Sequence, residues 1–122
     1  MNGAFTDKTK TQIRERSKGR CEICGFPISS GGQIHHRRPR GKGGTTSAET
    51  ASAANGIRLH PACHERIEMN RAWARERGYL VPFGTNPETV PVRLPGGWFL
   101  LGASGEASQV DGPVKIDSVT ST

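Results

Sequence analysis

The sequence predicts a small α+β domain in which a bound metal ion supplements a thin hydrophobic core. The chain has 122 residues, of which 33% are hydrophobic, so it can fill one modest core but not two. Its 16 glycines and 8 prolines indicate a loop-rich chain. All three cysteines and all four histidines fall between residues 21 and 64. Small domains with thin cores often use a metal as a staple.

A basic helix is predicted near the N-terminus, over residues 8–18. Asp7 is expected to cap it and Gly19 to end it. Ile13 is its one apolar anchor, and most of its other side chains are polar or charged. Two interpretations of the charged face remain open, namely a solvated surface and a surface that contacts phosphates.

Two short strands and two helices are predicted in the middle of the chain. The strands cover residues 33–36 and 57–59, with a Gly-rich loop between them. Pro61 suits the first turn of a helix over residues 61–69, and Asn70 is expected to cap another over residues 71–77.

The C-terminal part predicts β-structure followed by a tail. Residues 79–81 predict a short strand, and residues 92–94 and 98–101 predict a β-hairpin around Pro95. From residue 105 onward the chain is rich in Ser, Gly, Asp and Thr, with few large apolar groups. This composition predicts a disordered tail over residues 105–122.

The charge of the chain is concentrated in its first third. Residues 1–43 carry ten Lys or Arg and three Asp or Glu, whereas residues 44–122 carry seven and eight. A basic segment fits a polyanionic partner such as DNA, although a merely soluble cationic surface is an equal interpretation of charge alone. The candidates for contact with DNA phosphates are Arg14, Lys18, Arg37, Arg38, Arg40 and Lys42.

No targeting or cofactor motif is recognised. The first ten residues lack the apolar region of a signal peptide, and no apolar run approaches a membrane span, so a cytoplasmic protein without a membrane partner is expected. The glycine-rich residues 41–44 lack the Gly-Lys-Ser/Thr ending of a phosphate-binding loop. We therefore expect no nucleotide cofactor.

A structural zinc site is predicted from two closely spaced pairs of ligands. Cys21 and Cys24 form the first pair, and His60 and Cys63 form the second, each with two intervening residues. Zn²⁺ takes four nitrogen or sulfur ligands in a tetrahedron, and this spacing lets both members of a pair reach one ion. The alternative is a redox Cys-X-X-Cys motif, which would not need the second pair.

A second set consists of His35, His36, Asn55 and His64. Adjacent strand residues point to opposite faces, so His35 and His36 should have different roles. His64 follows Cys63 on a helix and is turned about 100° away from it, so it should face a different site. An imidazole with a pKa of about 6.5 can accept a proton from water near neutral pH, so one of these histidines is a candidate general base.

The chain resembles the zinc-bound branch of the HNH endonuclease family, especially its small members from tailed phages and prophages. The segments that carry this resemblance are RCEICG, QIHHRRPRGKGG, AANGIRL and HPACHERIEMNR. The resemblance covers about residues 8–80. It implies a ββα-metal core in which one divalent metal faces the scissile phosphate. The implied domain spans residues 1–104, with the zinc knuckle and ββα core at 21–70 and a helix and hairpin at 71–104.

The resemblance also implies the role of each site residue. His36 falls on the general base, and Asn55 on the residue that holds the loop carrying that base. His35 and His64 fall on the two protein ligands of the catalytic metal. His60 stands where the family usually has Cys, and His35 where Asp is common. An imidazole at that position leaves Mg²⁺, Mn²⁺, Ni²⁺ and Zn²⁺ open as the catalytic metal, with the borderline ions favoured.

The predicted function is therefore metal-dependent cleavage or nicking of DNA, with 5′-phosphate and 3′-hydroxyl products. The resemblance to phage proteins extends this expectation to DNA packaging beside a terminase. The alternative is a non-catalytic zinc module that binds nucleic acid or a packaging protein. The second histidine set separates the two hypotheses, because a binding module has no use for His36.

Overall fold

The computed structural model describes residues 4–39 and 48–113. Within these residues, four helices and five strands follow one another in a mixed order, with two short 3₁₀ turns at Ala53–Asn55 and Pro87–Thr89. The elements in chain order are α1 (Asp7–Ser17), β1 (Gln33–His36), α2 (Ala48–Ala51), β2 (Gly56–Leu59), α3 (Pro61–Met69), α4 (Arg71–Glu76), β3 (Val92–Leu94), β4 (Gly97–Leu101) and β5 (Ala107–Val110).

The centre of the fold is an antiparallel β1–β2 pair followed at once by α3. His35 lies opposite Ile57 and His36 opposite Gly56 in this pair. Ile57 and Leu59 are fully buried in the main core. Pro61 is the first residue of α3, where its missing N–H costs no hydrogen bond. The predicted strands and the predicted helix at residues 61–69 are confirmed, and together they form a ββα unit.

Helix α1 covers one end of this unit. Its cap is Thr6 rather than Asp7, because the Thr6 hydroxyl accepts a hydrogen bond from the Thr9 backbone N–H at 3.1 Å. The last helical residue is Ser17, one residue earlier than predicted, and the C-cap residue Lys18 adopts the left-handed conformation with φ 55°. Ile13 is fully buried, as predicted, and packs against Gly56, where any side chain would collide with it.

One basic side chain of α1 is buried rather than solvated. Arg16 forms a bidentate salt bridge with Glu22, at 2.7 and 2.8 Å, and donates to the carbonyl oxygen of Gly56 at 2.6 Å. Glu22 in turn accepts a hydrogen bond from the backbone N–H of Arg58. This network joins α1, the segment after Cys21 and β2, so Arg16 stabilises the fold instead of offering its charge to a partner.

The C-terminal sheet has three antiparallel strands in the order β3-β4-β5. The predicted hairpin is present as β3 and β4, but β5 lies within residues predicted to be disordered, which corrects that boundary. Ala107, Ser108 and Gln109 are exposed, so this edge strand is held by backbone pairing to β4 and carries no apolar pattern. The rest of the predicted tail, residues 114–122, lies outside the described residues.

The predicted strand at residues 79–81 is also wrong. Tyr79, Leu80 and Val81 are buried but belong to no sheet. The backbone N–H of Tyr79 donates to Ala74 at the end of α4, and that of Val81 donates to Arg37 after β1, at 2.9 and 2.8 Å. The run of large apolar residues suggested a strand, whereas the backbone hydrogen bonds go to a helix end and a loop.

The residue after His36 is a buried structural cation. The Arg37 side chain is fully buried, and its guanidinium donates to four carbonyl oxygens at 2.7–3.2 Å. Burial lowers the pKa of Arg37 to about 9, so the group remains protonated at neutral pH. The prediction that Arg37 binds a DNA phosphate is therefore wrong. Its acceptors are the carbonyls of Ala54, Gly78, Pro87 and Val90.

Replacing Arg37 by Lys is expected to lower the free energy of unfolding by about 2–4 kcal/mol. One ammonium nitrogen cannot replace three guanidinium nitrogens, and each buried acceptor left unpaired costs about 1–3 kcal/mol. Urea denaturation at constant zinc measures the change. The control is Arg14→Lys on the exposed face of α1, which should stay within about 0.5 kcal/mol of wild type. Equal losses in the two variants would contradict the structural role.

Candidate active site and zinc site

The four predicted zinc ligands come together at one end of the ββα unit. The ligand atoms of Cys21, Cys24, His60 and Cys63 all lie within 4.8 Å of one another. The Cys21 and Cys63 sulfurs are 3.6 Å apart, and the Cys24 sulfur is 3.4 Å from Nδ1 of His60. A tetrahedral ion with Zn–S bonds of about 2.3 Å and Zn–N bonds of about 2.0–2.1 Å requires ligand separations of this size. The cluster is therefore compatible with a structural zinc.

Hydrogen bonds from neighbouring backbone groups favour the thiolate form of Cys21 and orient the ring of His60. The backbone N–H groups of Ile23 and Cys24 both point at the Cys21 sulfur, each at 3.4 Å. Burial raises the pKa of the Cys21 thiol, but these and other hydrogen bonds outweigh it and lower the pKa to about 7. Nε2 of His60 lies 3.1 Å from the Pro27 carbonyl, to which it can donate. That tautomer leaves Nδ1 of His60 free to face the cysteines.

A second cluster lies where β1 meets α3. His35, His64 and Glu68 offer ligand atoms that also lie within 4.8 Å of one another. The rings of His35 and His64 are 5.1 Å apart, and Nε2 of His64 is 3.8 Å from a Glu68 oxygen. Two imidazoles and a carboxylate form a donor set that suits a borderline divalent metal.

Each histidine of this second cluster is oriented by a separate hydrogen bond. Nε2 of His35 lies 2.8 Å from the Tyr79 carbonyl, and Nδ1 of His64 lies 2.9 Å from Oε1 of Gln33. When each ring donates there, its other nitrogen is left as a lone pair for a ligand. Burial lowers the pKa of His35 to about 4, so this imidazole is neutral at physiological pH.

Glu68 was missed in the sequence analysis. It lies four residues after His64 on α3, and residues four apart share one face of a helix. That spacing was the available signal. Glu68 also accepts a hydrogen bond from Arg71 at 3.0 Å. The position of Arg71 at the start of α4 therefore links the cluster to the next helix.

His36 lies on the other side of β1 from His35, as alternation along a strand requires. Its ring stacks on Phe5, with centroids 4.0 Å apart and an interplanar angle of 12°. His36 nevertheless lines the same cleft of about 280 Å³ as His35, His64 and Glu68. The cleft therefore brings a proton-accepting group and a potential metal site to one surface.

Asn55 is fully buried between the two ends of the β1–β2 connection. Its Oδ1 accepts from the backbone N–H of Arg38 at 2.7 Å, and its Nδ2 donates to the Arg38 carbonyl at 3.0 Å and the Thr50 carbonyl at 2.9 Å. Asn55 thus holds the main chain two residues after His36. The Asn side chain suits this position because it supplies a donor and an acceptor together.

The structure contradicts one further predicted phosphate contact and leaves the remaining candidates as predictions. Arg38 is only 5% exposed and donates to Glu49 at 2.7 Å and to the hydroxyl of Thr50 at 3.0 Å, so the prediction for this residue is wrong. Arg14 is exposed and lines a cavity beside His36, whereas Lys18 lies against a different cavity. Arg40 and Lys42 lie outside the described residues.

Two antiparallel strands, a helix carrying metal ligands and an adjoining Cys₃His cluster define a small ββα metal domain. In agreement with this architecture, residues 21–69 match the sequence profile of the HNH endonuclease family. The matched segment contains both clusters, His36 and Asn55. An HNH domain indicates a nuclease-type function with binding of DNA and of metal ions.

Neither the curated proteins nor the solved structures include a significant match to the chain. Within residues 4–39 and 48–113, none of the helices has the length and apolarity that crossing a membrane requires.

Proposed function

We propose that this protein is a metal-dependent DNA endonuclease that hydrolyses phosphodiester bonds to 5′-phosphate and 3′-hydroxyl ends. One observation carries the proposal: His36 shares a cleft with the cluster of His35, His64 and Glu68. A nucleic-acid-binding zinc module needs the Cys₃His site but gains nothing from this second cluster. By the resemblance of its segments, the proposed enzyme acts on phage or prophage DNA beside a packaging terminase.

In the proposed hydrolysis, the residues of the cleft have different roles. His36 accepts the proton of the attacking water, which needs a neutral imidazole. His35, His64 and Glu68 hold the divalent ion, which supplies positive charge to the phosphoryl and leaving oxygens when it is bound. Asn55 keeps the chain that follows His36 in place through both backbone atoms of Arg38. The Cys₃His cluster would hold a structural zinc, which would join the start of α3 to the turn that contains Cys21 and Cys24.

The proposal is tested by incubating supercoiled plasmid with purified protein and Mg²⁺, Mn²⁺, Ni²⁺ or Zn²⁺, beside His36→Ala. Wild type should produce nicked or linear DNA only when a divalent ion is added, and end-labelling should detect 5′-phosphates. If none of the four ions supports cleavage, the endonuclease assignment fails and the non-catalytic binding module replaces it.

Replacing Glu68 by Gln is expected to raise the metal concentration for half-maximal cleavage by at least about tenfold, because the variant loses an anionic ligand. Saturating metal should restore part of the rate. Glu65→Gln is the matched control, since Glu65 is exposed on the same helix and lies outside the cluster. Metal titrations that coincide for the two variants would remove Glu68 from the site.

A further inference from the structure

The cleft of the second cluster adjoins two further cavities, with each of which it shares lining residues. On one side it shares Ile34 and His36 with a cavity under α1. On the other side it shares Pro39, Arg71 and Leu80 with a cavity of about 360 Å³ beyond α4. A volume of this size lies within the range of about 300–1,000 Å³ that is typical of ligand pockets. The far cavity takes no part in the hydrolysis described above.

The wall of this far cavity is apolar and partly exposed. Leu80, Val81, Pro82 and Phe83 line it, and the Phe83 side chain is 69% exposed. Leu80 and Val81 are buried, so they form a fixed floor. An exposed aromatic side chain beside a rigid apolar floor offers a flat surface on which a planar group can stack.

Two arginine side chains lie at the edge of the same cavity. Arg71 and Arg75 both line it from α4, and both are exposed. Arg71 also lines the cleft of the second cluster and pairs with Glu68 at 3.0 Å. Because this pair is half exposed, it contributes little stability and does not cancel the attraction of Arg71 for a nearby anion. The cavity therefore combines an apolar wall with positive charge on the side of the cluster.

Resting on the endonuclease function proposed above, we infer that this cavity binds one unpaired nucleotide of the DNA strand next to the cleaved bond. The base stacks on Phe83 over Leu80 and Val81, and Arg71 and Arg75 attract the neighbouring phosphates. In a fully paired duplex both faces of a base are covered by its neighbours. Extruding it costs a few kcal/mol, and this cost is lower when the nucleotide is already unpaired. The inferred substrate is DNA with an unpaired nucleotide at the cut site.

Binding is measured by fluorescence anisotropy on two DNA duplexes of the same sequence, one fully paired and one with a single unpaired nucleotide. His36→Ala protein is used so that DNA cleavage is negligible during the measurement. Adding Phe83→Ala should weaken binding of the unpaired duplex by about 5- to 100-fold, the usual effect of losing one stacked base, and should leave the paired duplex nearly unchanged. The matched control is Phe26→Ala, because Phe26 is also 69% exposed but lines neither this cavity nor the cleft of the second cluster.

Cleavage of the same two duplexes is then compared in the wild-type background. A preference for the unpaired duplex that Phe83→Ala abolishes and Phe26→Ala retains supports the inference. Equal cleavage of both duplexes, unchanged by Phe83→Ala, overturns it while leaving the endonuclease function intact. If wild type cuts neither duplex, the endonuclease function fails, and a Phe83-dependent binding preference still supports the nucleotide site. Absence of that preference overturns the site as well and favours a protein partner for Phe83.

Discussion

Replacing His36 by Ala is expected to lower the rate of DNA cleavage by about two to four orders of magnitude at saturating metal, because the attacking water loses its proton acceptor. Zinc content and folding should change little, since His36 belongs to neither cluster and is only partly buried. DNA affinity should also remain near that of wild type. The measurement is a single-turnover rate on plasmid or duplex DNA over a range of metal concentrations.

The comparison with His64→Ala separates a base from a metal ligand. His64→Ala should need more metal and recover partly when metal is in excess, whereas His36→Ala should not recover. At saturating metal the wild-type rate should rise with pH and then level off, because a general base acts in its neutral form. A His36→Ala protein that cuts at the wild-type rate under saturating metal would show that another group accepts the proton.

Replacing Cys24 by Ser is expected to unfold much of the domain at room temperature. A structural zinc contributes about 10–16 kcal/mol of apparent binding free energy, which is comparable to the whole stability of a domain, about 5–15 kcal/mol. The Cys24 side chain is exposed, so packing losses cannot explain such an effect. Thermal unfolding, followed by circular dichroism, and zinc analysis of the purified protein measure the outcome.

The rescue variant is Cys24→His, which restores a zinc ligand without restoring the thiol. It should recover zinc binding and much of the melting temperature, because imidazole and thiolate both serve as ligands in structural sites. Wild-type protein should contain about one tightly held zinc per chain. Protein that lacks zinc, together with an unchanged melting temperature in Cys24→Ser, would exclude the structural site.

The cluster of candidate zinc ligands could be predicted because its chemistry depends on local spacing. Two residues between Cys21 and Cys24, and between His60 and Cys63, allow each pair to face one ion wherever the pairs lie in the chain. The strand and helix that carry His35 and His64 were also predictable from local patterns. Glu68 shares a helix face with His64, so local spacing contained the signal for this residue as well.

The roles of Arg37 and Arg38 could not be read from local spacing. Both follow the histidine pair in a basic stretch, which suggested contact with phosphates. The structure buries Arg37 among four carbonyl groups that come from distant segments, and it pairs Arg38 with Glu49. A buried cation needs partners, and the positions of those partners depend on how the C-terminal segments pack against β1.

By itself, the sequence determined the α+β class, the ββα order of strands and helix, and the four candidate zinc ligands, because these depend on periodicity and spacing within short segments. Only the tertiary structure decided that β5 completes the C-terminal sheet, that Arg37 is structural, and that the second cluster opens into an apolar cavity beside Phe83. Each of these depends on backbone and side-chain groups far apart in the chain, whose meeting is set by packing rather than by any local pattern.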